Sequence, residues 1–118
     1  MAKHSVVETT YDTSSPPVVD VRGYTDAFVV LTVTGDGDGD SDTWAGAFHS
    51  CDSGGSVARS LYHKYTNSSA ASVVIASTSG GSGAAQLDLR GVDYVKAVAS
   101  LAFDAGATAS IVYGLYNK

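Results

Sequence analysis

Charge is scarce in this chain. Lys, Arg, Asp and Glu make up 16% of its 118 residues, below the ~25% of an ordinary soluble domain. The hydrophobic share is 44%, which excludes a disordered polyelectrolyte. Basic residues are rarest: seven Lys and Arg stand against twelve Asp and Glu, giving a net charge of −5 and a pI near 4.8. That balance argues against a nucleic-acid binder that works by neutralising phosphates. Cysteine occurs once, as Cys51, so there is no disulfide framework and no cysteine metal cluster. No apolar run approaches the ~18 residues of a membrane-spanning helix. Met1-Ala2-Lys3-His4 leads into an alternating segment with no apolar signal core, so Sec export is not expected. A reducing cytoplasm, or release from one by another route, fits these absences.

Straight-chain helix formers are also few. There is one Glu (Glu8), one Gln (Gln86), one Met, four Lys and six Leu; only Ala, at 16, is abundant. A helical bundle is disfavoured. What the chain does hold is Val (15), Thr (10), Ile (2), Ser (16) and Gly (13), the composition of short strands and tight turns. Its length suits one domain that buries roughly two-thirds of its unfolded surface. The expectation is an all-β sandwich or barrel with about eight antiparallel strands.

Strand character falls on residues 5–11, 18–21, 27–33, 43–51, 58–65, 72–77, 84–89, 92–103 and 108–116, with Gly, Ser, Asp or Pro between them. Residues 1–15 read as an N-terminal arm or edge strand and 16–118 as the sandwich. Residues 79–83 read as a flexible loop. Two long strands show the alternation clearly. Val95, Ala97, Ala99, Leu101 and Phe103 share one face, opposite Val92, Tyr94, Lys96, Val98 and Ser100. Ala109, Ile111, Tyr113 and Leu115 lie opposite Ser110, Val112, Gly114 and Tyr116. The outward faces keep apolar and aromatic members. That is either ordinary exposed apolar surface or a face that packs on a partner chain.

The chain also echoes itself. Asp20-Val21-Arg22-Gly23 and Asp88-Leu89-Arg90-Gly91 each close a strand before a longer apolar one. A turn that needs φ > 0 accounts for the Gly, and Asp and Arg two apart fall on the same side of a strand, where they can pair. Either two similar β-turns coincide, or the domain consists of two similar halves, as a jelly roll does.

No constellation stands out for catalysis. Asp36, Asp38, Asp40 and Asp42 alternate with Gly and Ser and read either as a solvated acidic loop or as oxygen ligands for a divalent ion. The match to an EF-hand stops after three Asp: position six is Ser41 and position twelve Ala47. His4, His49 and His63 have no ligand spacing. Tyr62-His63-Lys64-Tyr65, with Arg59 nearby, reads as strand alternation or as an aromatic-basic patch for sugar or nucleic acid. There is no Gly-x-Ser-x-Gly elbow. The Gly-rich run 79–83 lacks the Lys-Ser/Thr and the following helix of a phosphate loop. A carboxylate pair for glycoside hydrolysis would have to come from Asp20, Asp88 and Asp93. Trp44, the single Trp, reads as a core or loop anchor more readily than as a sugar platform. No catalytic, cofactor-binding or metal residue is assigned, and no cofactor is expected.

Asp20-Val21-Arg22-Gly23-Tyr24, the Val-rich segment 28–33, the Trp-containing stretch 40–44 with 51–55, Gly91-Val92-Asp93-Tyr94-Val95-Lys96 and Tyr113-Gly114-Leu115-Tyr116 follow one another in a familiar order. Over residues 18–118 that order resembles the capsid decoration, or cement, proteins of tailed bacteriophages. The resemblance implies a jelly-roll-like sandwich without enzymatic activity. It implies binding to the outside of the capsid, bridging of major capsid protein subunits, and a homo-oligomer (dimer or trimer) on the lattice. Nucleic acid and membrane are not implied as partners. It places the chain in the virion after synthesis in the host bacterial cytoplasm. The competing readings are another phage structural β protein, connector- or fibre-associated, and a carbohydrate-binding module.

Overall fold

The computed structural model describes residues 4–12, 15–34, 42–61, 72–77, 80–101 and 108–117. Every regular element among them is a strand: β1 (His4–Thr10), β2 (Val18–Asp20), β3 (Asp26–Thr34), β4 (Asp42–Cys51), β5 (Val57–Ser60), β6 (Ser72–Ser77), β7 (Gly80–Asp88), β8 (Tyr94–Leu101) and β9 (Thr108–Tyr116). They form two antiparallel sheets. One has the order β1-β9-β3-β7; the other runs β2-β8-β4-β5, with β6 also on β4.

The pairings show how the chain is rolled. β1 pairs with β9, β2 with β8, β3 with β7, and β4 with β5 and β6. First pairs with last, second with second-last, and so on inward. The chain is one long hairpin whose two arms cross together from sheet to sheet, which is the jelly roll that the resemblance implied. β5 and β6 pair with opposite halves of β4, at His49–Cys51 and Asp42–Ala47, and so fill one strand position. Nine segments therefore make an eight-position sandwich.

The core lies between the sheets. Ala27, Val29, Leu31 and Val33 of β3, Ala85 and Leu87 of β7, and Ala109, Ile111, Tyr113 and Leu115 of β9 are buried on one side. Val19, Phe48, Val95 and Ala97 meet them from the other sheet. Phe48 and Tyr113 join the layers edge to face, with ring centroids 6.1 Å apart and planes at 83°, an arrangement that adds about 0.5–1.5 kcal/mol to the burial itself.

One segment departs from the sequence expectation. Of residues 79–83, expected to be a loop, Gly80, Gly81, Ser82 and Gly83 begin β7 and pair with Thr34, Val33, Thr32 and Leu31. Glycine carries no strand signal of its own, and here the long β3 ladder imposes the extended form. Residues 4–10, expected as part of an arm or edge strand, form the outer strand of their sheet, with His4 opposite Tyr116 and Thr10 opposite Ser110. Tyr11 continues that ladder through its N–H to the Ala109 carbonyl (2.9 Å). Its ring then turns into the core, where its hydroxyl accepts the Ala99 N–H at 3.1 Å. That N–H lies beside the register shift where β8 leaves β4, between the pairs Ala45–Leu101 and Gly46–Ala99. A bulge disturbs the ladder, and Tyr11 supplies an oxygen from the opposite sheet.

Candidate contact surface

The two arms of the hairpin change sheets at the same level, at the Asp-x-Arg-Gly echo. At each corner a four-residue turn closes: Tyr24 N–H donates to the Val21 carbonyl (3.1 Å) and Val92 N–H to the Leu89 carbonyl (3.0 Å). The third residue of each turn is Gly, with φ of 90° at Gly23 and 77° at Gly91, as a type II turn requires. Val21 and Leu89 plug the core from above. Asp20 and Asp88 each accept the N–H of the Arg two residues on (3.0 and 3.1 Å) and bind its guanidinium at 2.6 Å. These carboxylates hold both Arg22 and Arg90 above their usual pKa. The corners also bond each other reciprocally. Val21 N–H donates to the Asp93 carbonyl (2.9 Å), and Leu89 N–H to the Thr25 carbonyl (2.8 Å). The echo therefore marks a local pseudo-two-fold relation, and it serves structure. Asp20 and Asp88, two of the three carboxylates considered for glycoside hydrolysis, are each engaged by their own Arg.

Other sequence candidates are dispersed. The acidic run falls outside the described residues from 35 to 41, and the side chain of Asp42 lies outside them too. His63 and its aromatic-basic neighbours 62–65 also lie outside. The backbone of Trp44 pairs with Ile75 in the ladder between β4 and β6. His4 is in β1, far along the chain from His49, which sits in β4 opposite Lys96. Burial, then the Lys96 charge, lowers the His49 pKa. Cys51 is buried and free, and burial raises its thiol pKa. Burial also raises the Tyr113 hydroxyl far above its ordinary value, with Cys51 adding to the effect. Among the described residues no three His, Cys, Asp or Glu side chains gather as a metal site.

The outer faces of the two sheets differ in kind. On the sheet containing β8, the outward side chains include Tyr94, Lys96 and His49, and the Arg22 guanidinium lies 5.2 Å from the centroid of the Tyr94 ring. This face mixes charged and aromatic side chains with apolar ones such as Val18, Val98 and the exposed Val57. The sheet β1-β9-β3-β7 presents rows read directly from the register: Val6–Gly114–Phe28–Gln86, then Glu8–Val112–Val30–Ala84, then Thr10–Ser110–Thr32–Ser82. Glu8 is the one charge in these three rows. Val6 is 71% and Phe28 44% exposed, and both flank Gly114 in the same row. Gly114 has no positive φ, and a Cβ there would meet the Phe28 carbonyl oxygen at 3.4 Å. The glycine thus lies where the β3 backbone comes close, between two exposed apolar side chains. The half-apolar outward face of β9 noted in the sequence belongs to this surface.

No family model matches the chain, and no curated protein sequence matches it. Among solved structures, the chain is similar to the SPBc2 prophage-derived protein YomS, with a TM-score of 0.53 and 14% identity over 95% of each chain. A second similarity, to a structure described under Bacillus endospore appendages that form disulfide-linked pili, covers 98% of this chain and 87% of the other at 13% identity, with a TM-score of 0.34. The likeness to YomS is one of fold.

Proposed function

We propose that this chain is a non-enzymatic virion structural protein that binds the outer capsid surface and stabilises the shell by bridging major capsid protein subunits. The observation that carries the reading is a single jelly roll similar along nearly its whole length to a prophage-derived protein. Three features support it. Among the described residues, those with catalytic or ligating chemistry are spread through the sandwich or used to close its corners. The three middle rows of one sheet face carry a single charge, Glu8, as the centre of a contact face in an assembly does. The net charge of −5 suits an outer surface that does not adhere to DNA. Repeated weak contacts on a lattice stabilise a shell through multivalency, without any single tight site.

The test is copy number. Particles of the phage that encodes the chain are purified by density gradient and their proteins quantified. Recovery in many copies, in fixed ratio to the major capsid protein, is the expected result. A few copies per particle would move the chain to the connector or a fibre, and absence from particles would refute the virion role. Retention on a glycan array, abolished by Trp44→Ala, would favour the carbohydrate-binding reading instead.

A further inference from the structure

We infer that β1 is a strap that opens on its own about a hinge at Tyr11, leaving the rest of the sandwich folded and baring the edge of β9. This goes beyond the capsid role and does not depend on it.

β1 ends its sheet and borders β9 alone. Its side chains alternate between exposed and half-buried along His4–Thr10, and none is buried. Each of the other three strands of that sheet places two or more buried apolar side chains in the core. Of the residues that β1 turns inward, Ser5, Val7 and Thr9, only Val7 is apolar and packs on the core. Thr9 donates its hydroxyl to the Ile111 carbonyl at 3.2 Å, within the ladder itself. β1 is therefore held by main-chain bonds and one valine. Ordering a strand costs entropy at every residue, and ladder bonds made in exchange for bonds to water contribute little net. A segment with so few buried apolar contacts opens sub-globally, ahead of the core.

The hold changes at Tyr11. Its N–H donates to the Ala109 carbonyl at 2.9 Å, its ring lies in the core cluster, and its hydroxyl accepts the Ala99 N–H from the opposite sheet at 3.1 Å. Unzipping from the N-terminus stops there. β9 does not need β1 to stay in place. Its other side keeps the whole register with β3, from Asp26–Tyr116 to Thr34–Thr108, and Ala109, Ile111, Tyr113 and Leu115 remain in the core. The Tyr11–Ala109 bond also sets the phase of the ladder. Ser5, Val7 and Thr9 are the residues whose main chain faces β9, opposite Leu115, Tyr113 and Ile111. Opening of β1 bares the N–H and C=O groups of those three β9 residues, a row able to pair with an extended segment.

The sequence supplies the probe. Glu8 is the only glutamate in the chain, so a glutamyl endopeptidase finds one glutamyl bond, between Glu8 and Thr9 in the middle of β1. The full native chain is digested over a range of urea concentrations, and circular dichroism follows global unfolding alongside. Cleavage is expected in buffer alone. Its rate is expected to rise far less steeply with urea than the global transition, because the slope scales with the surface that opens. The product that has lost residues 1–8 is expected to keep a cooperative melt. A disulfide between Thr10→Cys and Ser110→Cys, which lie directly opposite, is expected to slow cleavage by about tenfold or more, and reduction to restore the rate. Val7→Thr, which removes the one apolar contact, is expected to speed it. Cleavage that appears only with global unfolding overturns the inference. So does an oxidised double variant cut as fast as its reduced form, or a cut chain that no longer melts cooperatively.

Discussion

Replacing Gly91 by Ala isolates the backbone requirement of the corner where β7 becomes β8. Gly91 has φ of +77°, and no atom lies within 4 Å of the position a Cβ would take. Steric collision is therefore absent, and the cost is that of holding an L-residue in the left-handed region, about 1–2 kcal/mol. Alanine also reduces the freedom of the unfolded chain, which returns about 0.4–1 kcal/mol. The net loss is about 1 kcal/mol. For a domain of this size it lowers the melting temperature by about 4 °C. Two neighbours calibrate the result. Gly54 has no positive φ and a Cβ there would touch only Asp52 Oδ1 at 3.4 Å, so Gly54→Ala changes little. Gly55 has φ of +89° and a Cβ there would press on Val18 Cγ2 at 3.3 Å, so Gly55→Ala costs more than Gly91→Ala. Gly91→Asn recovers part of the loss, because Asn tolerates the left-handed region. Reversible thermal unfolding of the four variants is the assay. A Gly91→Ala protein as stable as wild type, or an order in which Gly54→Ala is the worst, would refute the type II corner and with it the structural reading of the echo.

Three further expectations concern the core and its polar atoms. Tyr11→Phe keeps the ring but leaves the Ala99 N–H without its oxygen, at a cost of about 1–3 kcal/mol in urea unfolding; no loss would mean that the bulge satisfies this N–H otherwise. Cys51, buried with a raised thiol pKa, reacts slowly with a disulfide reagent near neutral pH in the native protein and rapidly in denaturant; equal rates would contradict its burial. His49 titrates below its ordinary value in the fold, so the unfolded chain takes up the proton first as pH falls. Stability is then level above the unfolded value of about 6.5 and declines below it towards the lower native value. His49→Gln removes that part of the decline, measured as the difference in melting temperature between about pH 7.5 and pH 5; an unchanged difference would show that other groups carry it.

The corner turns were legible in the sequence because their signal is local. An Asp, an Arg two residues on and a Gly at the third turn position lie within four residues, and the hydrogen bonds they make span the same distance. The faces of β8 and β9 were legible for a similar reason: alternation separates Val95 and Ala97 from Lys96, and Ile111 and Tyr113 from Val112. The strand at Gly80–Gly83 was not, since its pairing comes from β3. Nor was the role of Tyr11, whose partner Ala99 is 88 residues away. The contact surface was half legible. The outward face of β9 shows Val112 and Gly114, but that Val6 and Phe28 flank the same glycine depends on three strands from distant parts of the chain.

Composition and alternation by themselves determined that this chain is a β domain, which side chains of its long strands share a face, and where its two Asp-x-Arg-Gly corners turn, because each depends on residues a few positions apart. Only the tertiary structure decided which strands meet. His4 lies against Tyr116, and β5 and β6 share one edge of β4. Such pairings are set by how all the apolar faces close together around one core, and no stretch of sequence contains that information alone. The scarcity of charge likewise acquired a location: it falls on the three middle rows of one sheet face, assembled from β1, β3, β7 and β9.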